Sequence, residues 1–394
     1  MRRVLGGFFI LNLVFCCRAA VIAAEPANTV PVPGVLVPAR LFSTRGGLGY
    51  AQFCAECHRL DGAGAKGIFP PLSRKTAGAM PNGPAAQTET SSQLFTMPSF
   101  GVLSDRELSE ILGFVRKSWG NDAVPGVKEF RQNFGNREAE ASGVKVPRLA
   151  NLLAQTKGAQ LVRGMRLLTE TKSMLPENVG SELNCASCHL EAGAVALASP
   201  FTGVYASFPG YSPRAGRVIT IEDRINGCFI RSLNGKPLAV DSPDMKAIGA
   251  YLKWMKGTGS SKGKVVGRGV GKIDRALRPN VQNGQKVYAT QCAACHGKVG
   301  QGLIAADGRY IYPPLWGDNS FNIGAGMART YTAAAFTKNN MPIGLQANFP
   351  LGQGGLSDQE AVDVAEYFSH QPRPDFPKKA NDWPKGGRPG DARY

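Results

Sequence analysis

The sequence Cys-x-x-Cys-His occurs three times in this chain, and no other feature constrains the fold as strongly. The three stretches begin at Cys54, Cys185 and Cys292 and contain six of the nine cysteines and three of the four histidines. In such a stretch two thiols bond to the vinyl groups of one haem c, and the histidine ligates its iron. A zinc site or a redox dithiol leaves the regularly placed histidine unexplained. The motifs predict three covalently attached haem c groups, bonded to Cys54, Cys57, Cys185, Cys188, Cys292 and Cys295 and ligated by His58, His189 and His296.

The N-terminus has the layout of a secretory signal peptide. Two arginines precede an apolar run, Val4–Phe15, and small residues follow it. We therefore predict a signal peptide over residues 1–24 and a periplasmic mature protein. The segment contains two of the three cysteines outside the motifs, and the third is Cys228. No later stretch approaches the ~20 apolar residues of a membrane span, so we expect no transmembrane segment in the mature chain.

The chain is strongly basic. Its formal net charge is +17 at pH 7, and loss of the three arginines of the predicted signal peptide leaves +14. A positive field of this size favours anionic partners. Because nucleic acid is not an expected partner of an exported haem protein, the charge indicates acidic redox proteins and small anionic substrates.

The segments around the first and third motifs repeat each other. In both, a glycine lies eight residues and a tyrosine four residues before the first cysteine. These pairs are Gly46 with Tyr50 and Gly284 with Tyr288. Farther along, Leu-Ser-Asp-x-Glu occurs twice, and its serine and glutamate can form a capping box. The repeat predicts a helix before each of these two motifs and a capped helix that begins after Ser104 and after Ser357.

This layout resembles the class I cytochrome c domain, in which a helix leads into the haem motif and a C-terminal helix packs across it. The resemblance implies a mainly α fold with three cytochrome c-like haem domains in tandem. The predicted divisions are a signal peptide (1–24), an N-terminal monohaem domain (40–120), a linker (121–150), a catalytic haem domain (151–257), a second linker (258–280), an electron-transfer domain (281–370) and an irregular tail (371–394).

A class I domain supplies a methionine as the second axial ligand, from a loop before its last helix. For the first haem we predict Met97, which precedes the helix capped by Ser104, with Met80 as the alternative. For the third haem we predict Met341, with Met327 as the alternative.

The remaining cysteine, Cys228, lies in a segment with the signals of a short helix. Thr220 can cap it, acidic residues occupy its first turn, and a glycine follows its end. On this helix Arg224 and Arg231 would flank the thiol on one face, and Ser232 follows. Nearby cations favour the thiolate, which is a ligand for haem iron and a nucleophile toward sulfur. A small buried cysteine beside a solvated arginine face explains the pattern equally well.

Three stretches in this region resemble the periplasmic dihaem thiosulfate dehydrogenase (tetrathionate synthase) family. They are residues 183–193, 211–217 and 224–238, and the resemblance extends over residues 150–394. It implies that His189 and Cys228 are the axial ligands of the active-site haem. It also implies that Arg214, Arg224 and Ser232 line the substrate pocket, to which the helix pattern adds Arg231 as a candidate.

In the same family the second haem, which here has His296 and Met341, is the electron exit. Some members place a lysine before that methionine and exchange ligands with redox state. This chain has Asn340 there, with Lys338 close by. The N-terminal haem domain lies outside the dihaem pattern and resembles a fused cytochrome c electron acceptor, whose attachment raises its effective concentration near the donor.

The predicted reaction is the oxidative coupling of two thiosulfate ions to tetrathionate, with electrons relayed from the second haem to the third and then the first. A soluble or membrane-bound periplasmic acceptor such as a cytochrome c would receive them. Two alternatives stay open. One is a non-catalytic three-haem electron-transfer subunit of a periplasmic dehydrogenase. The other retains the thiolate chemistry but uses it for sulfur-carrier conjugation or for tetrathionate reduction.

Overall fold

The computed structural model describes most of the chain after the predicted signal peptide. The described residues are 38–65, 69–72, 100, 103–121, 124–134, 148–258, 267–305, 308–343 and 354–394. The predicted signal peptide and both candidate methionines for the first haem, Met80 and Met97, lie outside the described residues.

The described N-terminal part is helical. Its helices are α1 (Arg45–Phe53), α2 (Ala55–His58), α3 (Asp105–Trp119) and α4 (Val127–Phe134). The helix α4 lies within the segment 121–150, which we predicted as a linker. The sequence did not predict this helix because its periodicity is weak. Only a few of its apolar residues, among them the buried Phe130, pack in the same apolar cluster as α3.

The middle part contains five helices and one hairpin. They are α5 (Gly158–Thr169), α6 (Thr171–Met174), the short turn α7 (Leu190–Gly193), strands β1 (Gly210–Ser212) and β2 (Arg217–Ile219), α8 (Ile221–Arg231) and α9 (Pro243–Trp254). The two strands pair antiparallel, with Tyr211 opposite Val218.

The C-terminal part repeats the N-terminal arrangement. It comprises α10 (Val281–Val287), a π-helical turn (Tyr288–Cys292), α11 (Ala293–His296), the antiparallel strands β3 (Leu303–Ile304) and β4 (Tyr310–Tyr312), α12 (Thr330–Asn340) and α13 (Asp358–Ser369). Short 3-10 helices occupy Leu149–Ala154, Cys185–Ser187, Tyr205–Ser207, Met255–Thr258, Gly326–Ala328 and Lys379–Asn381. Within the described residues, no helix is long and apolar enough to cross a membrane.

The repeated glycines mark places where two helices cross in contact. A Cβ on Gly46 would lie 2.1 Å from the carbonyl oxygen of Glu110 in α3, and one on Gly284 would lie 2.0 Å from that of Asp363 in α13. Real Cβ atoms do not approach so closely, so only glycine permits these crossings. The middle part uses the same device, since a Cβ on Gly164 would lie 2.2 Å from the oxygen of Ala247. We did not predict this third crossing from the sequence.

The predicted helix caps are present. Ser104 and Glu107 form both hydrogen bonds of a capping box on α3, and Ser357 and Glu360 do so on α13. Thr220 caps α8 in the same way, with Asp223 as its partner. The repeated tyrosines match as well: the hydroxyl of Tyr50 donates to the oxygen of Arg59 at 2.6 Å, and that of Tyr288 donates to Gly297 at 2.7 Å.

The buried side chains form three apolar clusters, one around each haem motif, but the clusters interlock. Leu48 of α1 packs in the middle cluster, whereas Leu190 and Phe336, from the middle and C-terminal parts, pack in the N-terminal one. Met327 contacts all three clusters. The mainly α cytochrome c fold is therefore observed, while the exact domain limits remain a prediction.

Candidate active site around Cys228

The three motif histidines share one arrangement. The Nδ1 atom of His58 donates to the oxygen of Pro70 at 2.9 Å, and that of His296 donates to Pro313 at 2.9 Å. The Nδ1 atom of His189 donates to Ser199 at 2.6 Å. A carbonyl oxygen only accepts, so each ring carries a proton on Nδ1 and directs Nε2 elsewhere. Nε2 is therefore the ring nitrogen left to ligate a metal.

The loop that follows His189 is strained. Four non-glycine residues in it have positive φ: Glu191 at 49°, Ala192 at 54°, Leu197 at 63° and Ser199 at 51°. Such conformations are unfavourable for residues with a Cβ and tend to occur at functional sites. Here the strained loop carries the Ser199 carbonyl to the histidine ring and places Phe201 in a stack on it, with ring centroids 4.4 Å apart.

Helix α8 brings Cys228 to the same place. The thiol lies within hydrogen-bonding reach of the His189 side chain, and Nη1 of Arg224 donates to its Sγ at 2.8 Å. Arg224 precedes Cys228 by one helical turn, so the helix itself sets this second contact. The predicted approach of one arginine to the thiol is therefore observed.

Electrostatics separate Cys228 from the motif cysteines. Burial alone would raise the pKa of the Cys228 thiol, but the charge of Arg224 and hydrogen bonds from His189 and Arg224 outweigh burial and lower the pKa to about 6. By contrast, burial raises the pKa of Cys185 and of Cys188 to about 12, and the nearby Cys228 adds to both shifts. At neutral pH, Cys228 is therefore the thiol of this site that ionises most readily.

This arrangement fits a haem c. All seven described cysteines are free, so both thiols of each motif are available for thioether bonds. At the second motif, His189 and Cys228 converge as two donors, an imidazole and a thiolate, beside Cys185 and Cys188. The residues that would hold haem here are thus a thiol pair and two axial donors from different elements.

The other predicted substrate residues lie toward the C-terminal tail. Nη2 of Arg231 donates to Oδ1 of Asp382 at 2.6 Å, and Nε of Arg214 lies 3.7 Å from Oδ2 of the same carboxylate. Nη1 of Arg214 donates to the oxygen of Gly324 at 2.7 Å. We expected Arg231 to flank the thiol. The structure gives this guanidinium Asp382 as its partner, and its role in substrate binding stays a prediction.

Other predicted residues have less specific surroundings. Ser232 is the C-cap of α8, and its backbone N–H donates to the oxygen of Cys228. Met341 follows α12 and is partly buried against the N-terminal cluster, where Met327 also packs. Asn340 donates to the backbone oxygens of Leu197 and Phe336. Lys338 forms an ion pair with Asp358. Methionine ligation of the third haem therefore stays a prediction.

Sequence reasoning missed three residues near this site: Asp382, Trp383 and Tyr394. All belong to the tail that we described as irregular, and regular secondary structure is indeed limited there to the 3-10 turn Lys379–Asn381. A tail rich in proline, glycine and lysine shows no periodicity. The one available signal was a pair, an acid beside a tryptophan, in a segment whose net charge is positive.

Comparisons with known proteins identify cytochrome c domains in this chain. Residues 177–259, which include the second motif and Cys228, match the family described as SoxA/TsdA, cytochrome c domain. Residues 43–115 and 279–368 each match the family described as cytochrome C oxidase, cbb3-type, subunit III. Cytochrome c domains bind haem covalently, so these matches establish haem c as the cofactor class.

Curated relatives and a solved structure identify the family. The chain is 45% identical over 274 residues to the thiosulfate dehydrogenase of Psychrobacter arcticus, which covers 68% of this chain and 81% of that protein. It is 44% identical over 250 residues to the Allochromatium vinosum enzyme, which covers 62% of this chain and 90% of that protein. The structure of the TsdBA thiosulfate dehydrogenase from Marichromatium purpuratum, in its as-isolated form, aligns with a TM-score of 0.61 and 29% identity, covering 88% of this chain and 73% of that one. The chain belongs to the thiosulfate dehydrogenase family and is a c-type cytochrome oxidoreductase.

Proposed function

We propose that this protein couples two thiosulfate ions oxidatively to tetrathionate, with Cys228 as the central group. The observation that supports this most directly is the convergence of Arg224 and His189 on the Cys228 thiol. A cysteine that served only as a small core residue would not be held as a thiolate by a guanidinium at 2.8 Å.

The proposed chemistry balances without a proton. The Cys228 thiolate bonds to the outer sulfur of one thiosulfate, which gives Cys–S–S–SO₃⁻ and releases two electrons. The outer sulfur of a second thiosulfate then attacks the sulfur next to the sulfonate. That attack forms the central S–S bond of tetrathionate and breaks the bond to Cys228, which departs as a thiolate. A thiolate of low pKa is a good leaving group for the second step.

Arginine side chains supply the binding of the anions. Arg224 would hold the thiolate and a sulfonate oxygen, and Arg214 would hold a sulfonate through its guanidinium fork. The other proposed substrate-binding residues are Ser232 and Arg231. The strongly positive net charge would raise the local concentration of a dianion near the site. The same groups would bind tetrathionate, so the site can serve both directions.

Haem c bound at all three motifs would supply the redox chemistry by taking up the two electrons one at a time. We propose an outward route from the second motif to the third and on to the first. Contacts between the segments that follow the first and third motifs support the last step. The ring centroid of Tyr312 lies 6.4 Å from that of His296 and 6.4 Å from that of Phe69, and Arg309 pairs with Asp61 at 3.0 Å. We further propose Met97 and Met341 as the second axial ligands, a periplasmic location and an acceptor such as a cytochrome c.

Substitution of Cys228 tests this proposal. Cys228→Ala should abolish thiosulfate-dependent reduction of ferricyanide while haem analysis still finds three covalent haems. Cys228→Met provides the matched control, because a thioether can ligate iron but cannot form the sulfur adduct. We expect it to be inactive as well, with a raised reduction potential at the second haem. Full activity in Cys228→Ala would contradict the central role of Cys228, whereas a wild type without thiosulfate-dependent reduction would favour a non-catalytic electron-transfer subunit.

A further inference from the structure

The C-terminal segment 371–394 lies against the candidate site although it lacks regular structure. Backbone hydrogen bonds fix its course: the N–H of Gly317 donates to Pro372, and that of Ile323 donates to Pro374. Farther along, the N–H of Trp383 donates to the oxygen of Arg214 at 2.8 Å. The segment therefore reaches a predicted substrate residue through the backbone.

Asp382 is the charged residue of this segment that lies beside Arg214 and Arg231. Its side chain is only 4% exposed. One carboxylate oxygen accepts from Arg231 at 2.6 Å, and the other accepts from the hydroxyl of Tyr394 at 2.5 Å and lies 3.7 Å from Nε of Arg214. A buried carboxylate with two guanidinium partners and a phenol is held far more firmly than a surface ion pair.

Trp383 adds a second constraint on Arg214. The guanidinium carbon of Arg214 lies 4.7 Å from the centroid of the tryptophan ring, in a cation–π contact. Trp383 has φ +56°, which is unfavourable for a bulky side chain. At this position the carboxylate of Asp382 faces Arg214 and the ring of Trp383 stacks on it. These contacts therefore outweigh the local backbone strain.

The contacts leave part of Arg214 available. Its Nε faces Asp382 and its Nη1 donates to Gly324, whereas within the described residues Nη2 has no hydrogen-bond partner. Positive charge also remains in excess. Arg214 lies within electrostatic range of both Arg231 and Arg329, and Asp382 is the carboxylate that faces it. With three guanidinium groups near one carboxylate, the local net charge is positive and favours the binding of an anion.

We propose that Asp382 is a positioning residue that fixes Arg214 and Arg231 for binding of the anionic substrate, which makes the C-terminal segment part of the active site. This inference rests on the proposed function, in which Arg214 binds a sulfonate. An arginine has many rotamers, and one already held in its binding orientation loses less entropy when the anion arrives. Asp382 acts through the arginines and does not itself contact substrate.

The test compares three aspartates of the same tail in the full-length three-haem protein. Asp382→Asn keeps the shape and removes the charge. Asp375→Asn removes an exposed carboxylate that accepts from Lys379 and from the backbone N–H of Phe376. Asp391→Asn removes one that accepts from the backbone N–H of Tyr331. The first control reports the effect of tail charge, and the second reports the effect of loosening the tail. For each variant, the KM and kcat for thiosulfate and the thiosulfate dependence of the oxidised haem spectrum are measured.

We expect Asp382→Asn to raise both the KM and the spectroscopic Kd for thiosulfate about tenfold, with kcat changed less than about threefold. Both controls should stay within about twofold of the wild type. An unchanged or lower KM in Asp382→Asn would overturn the inference, because a carboxylate that merely neutralises the arginines would weaken anion binding. An equal rise in Asp391→Asn would also overturn it, since the effect would then come from a loosened tail.

A second variant tests the inference in case Asp382→Asn does not fold. If Asp382→Asn yields no three-haem protein, Tyr394→Phe removes one hydrogen bond to the same carboxylate, and a KM raised about threefold would support the inference, whereas a wild-type KM would overturn it. The wild type separates this inference from the proposed function. A wild type without thiosulfate-dependent reduction or spectral change refutes the function. An active wild type with an unaffected Asp382→Asn refutes only the positioning role.

Discussion

At the scale of single residues, Arg224 is the arginine that contacts the Cys228 thiol. It stabilises the Cys228 thiolate through a charge-assisted hydrogen bond of 2.8 Å, and in the proposed function it also binds the sulfonate. We expect Arg224→Ala to raise the KM for thiosulfate roughly 10- to 100-fold, because a hydrogen bond to a charged group contributes about 1.5–3 kcal/mol. The KM of Arg224→Lys should fall between those of the wild type and Arg224→Ala, because a lysine keeps the charge but lacks the planar guanidinium fork. Steady-state kinetics with ferricyanide as acceptor provide the measurement.

Arg217 offers a matched control for this prediction. It lies in strand β2, at the surface, and pairs with Asp223 of the α8 cap at 2.9 Å. Arg217→Ala removes an equal charge from the same region without touching the thiol. A similar KM rise in both variants would show that the effect is a general loss of positive field rather than a contact with substrate.

At the scale of elements, the capping boxes set where α3 and α13 begin. In α13, Ser357 accepts from the backbone of Glu360, and the Glu360 carboxylate accepts from both the backbone and the hydroxyl of Ser357. These hydrogen bonds lower the pKa of Glu360 below its ordinary value of 4.5. A carboxyl group whose pKa is lower in the folded state stabilises that state above its unfolded pKa, and the contribution disappears as the pH falls through the folded pKa.

We therefore expect Ser357→Ala to destabilise the start of α13 by about 1 kcal/mol at pH 7. The difference from the wild type should shrink as the pH drops below the ordinary pKa of Glu360, because protonation breaks the same box in the wild type. Hydrogen exchange of a peptide covering residues 354–369 measures the local opening. Equal exchange at pH 7, or a difference that grows toward acid, would contradict the predicted role of the box.

At the scale of the whole molecule, the haem units interlock through shared apolar contacts. Phe336 belongs to α12 of the C-terminal part, yet its side chain, 5% exposed, packs in the N-terminal cluster. We expect Phe336→Ala to cost about 3–5 kcal/mol and to let the N-terminal unit unfold separately. Differential scanning calorimetry should then show an added low-temperature transition, whereas the wild type should unfold the interlocked parts together.

Phe130 is the matched control for the interlocking contact. It is 2% exposed and lies in the same apolar cluster, but it comes from α4 of the N-terminal part itself. Phe130→Ala should destabilise the N-terminal unit by a similar amount without removing a contact from the C-terminal part. If both variants gave the same calorimetric profile, the contact of Phe336 would have no special role in holding the units together.

The sequence by itself determined the features that depend on near neighbours along the chain. The thiol pairs, their histidines, the capping boxes and the helix that places Arg224 one turn before Cys228 all have spacings of a few residues. Backbone geometry fixes what residues at such spacings can do, so they can be predicted from sequence alone. The repeat of Gly46 and Gly284 could be found in the same way, although the close approach of another helix's backbone at each glycine could not.

Only the tertiary structure decided which distant residues meet. The pair of Arg231 and Asp382 joins residues 151 positions apart, and Phe336 enters the core of a unit that begins almost 300 residues earlier. The negative charge beside Arg231 thus comes from Asp382, in a tail without periodicity. From the sequence we had instead predicted that this arginine flanks the Cys228 thiol. No spacing rule governs such contacts, because they result from the packing of whole helices and from loops whose strain is offset by that packing.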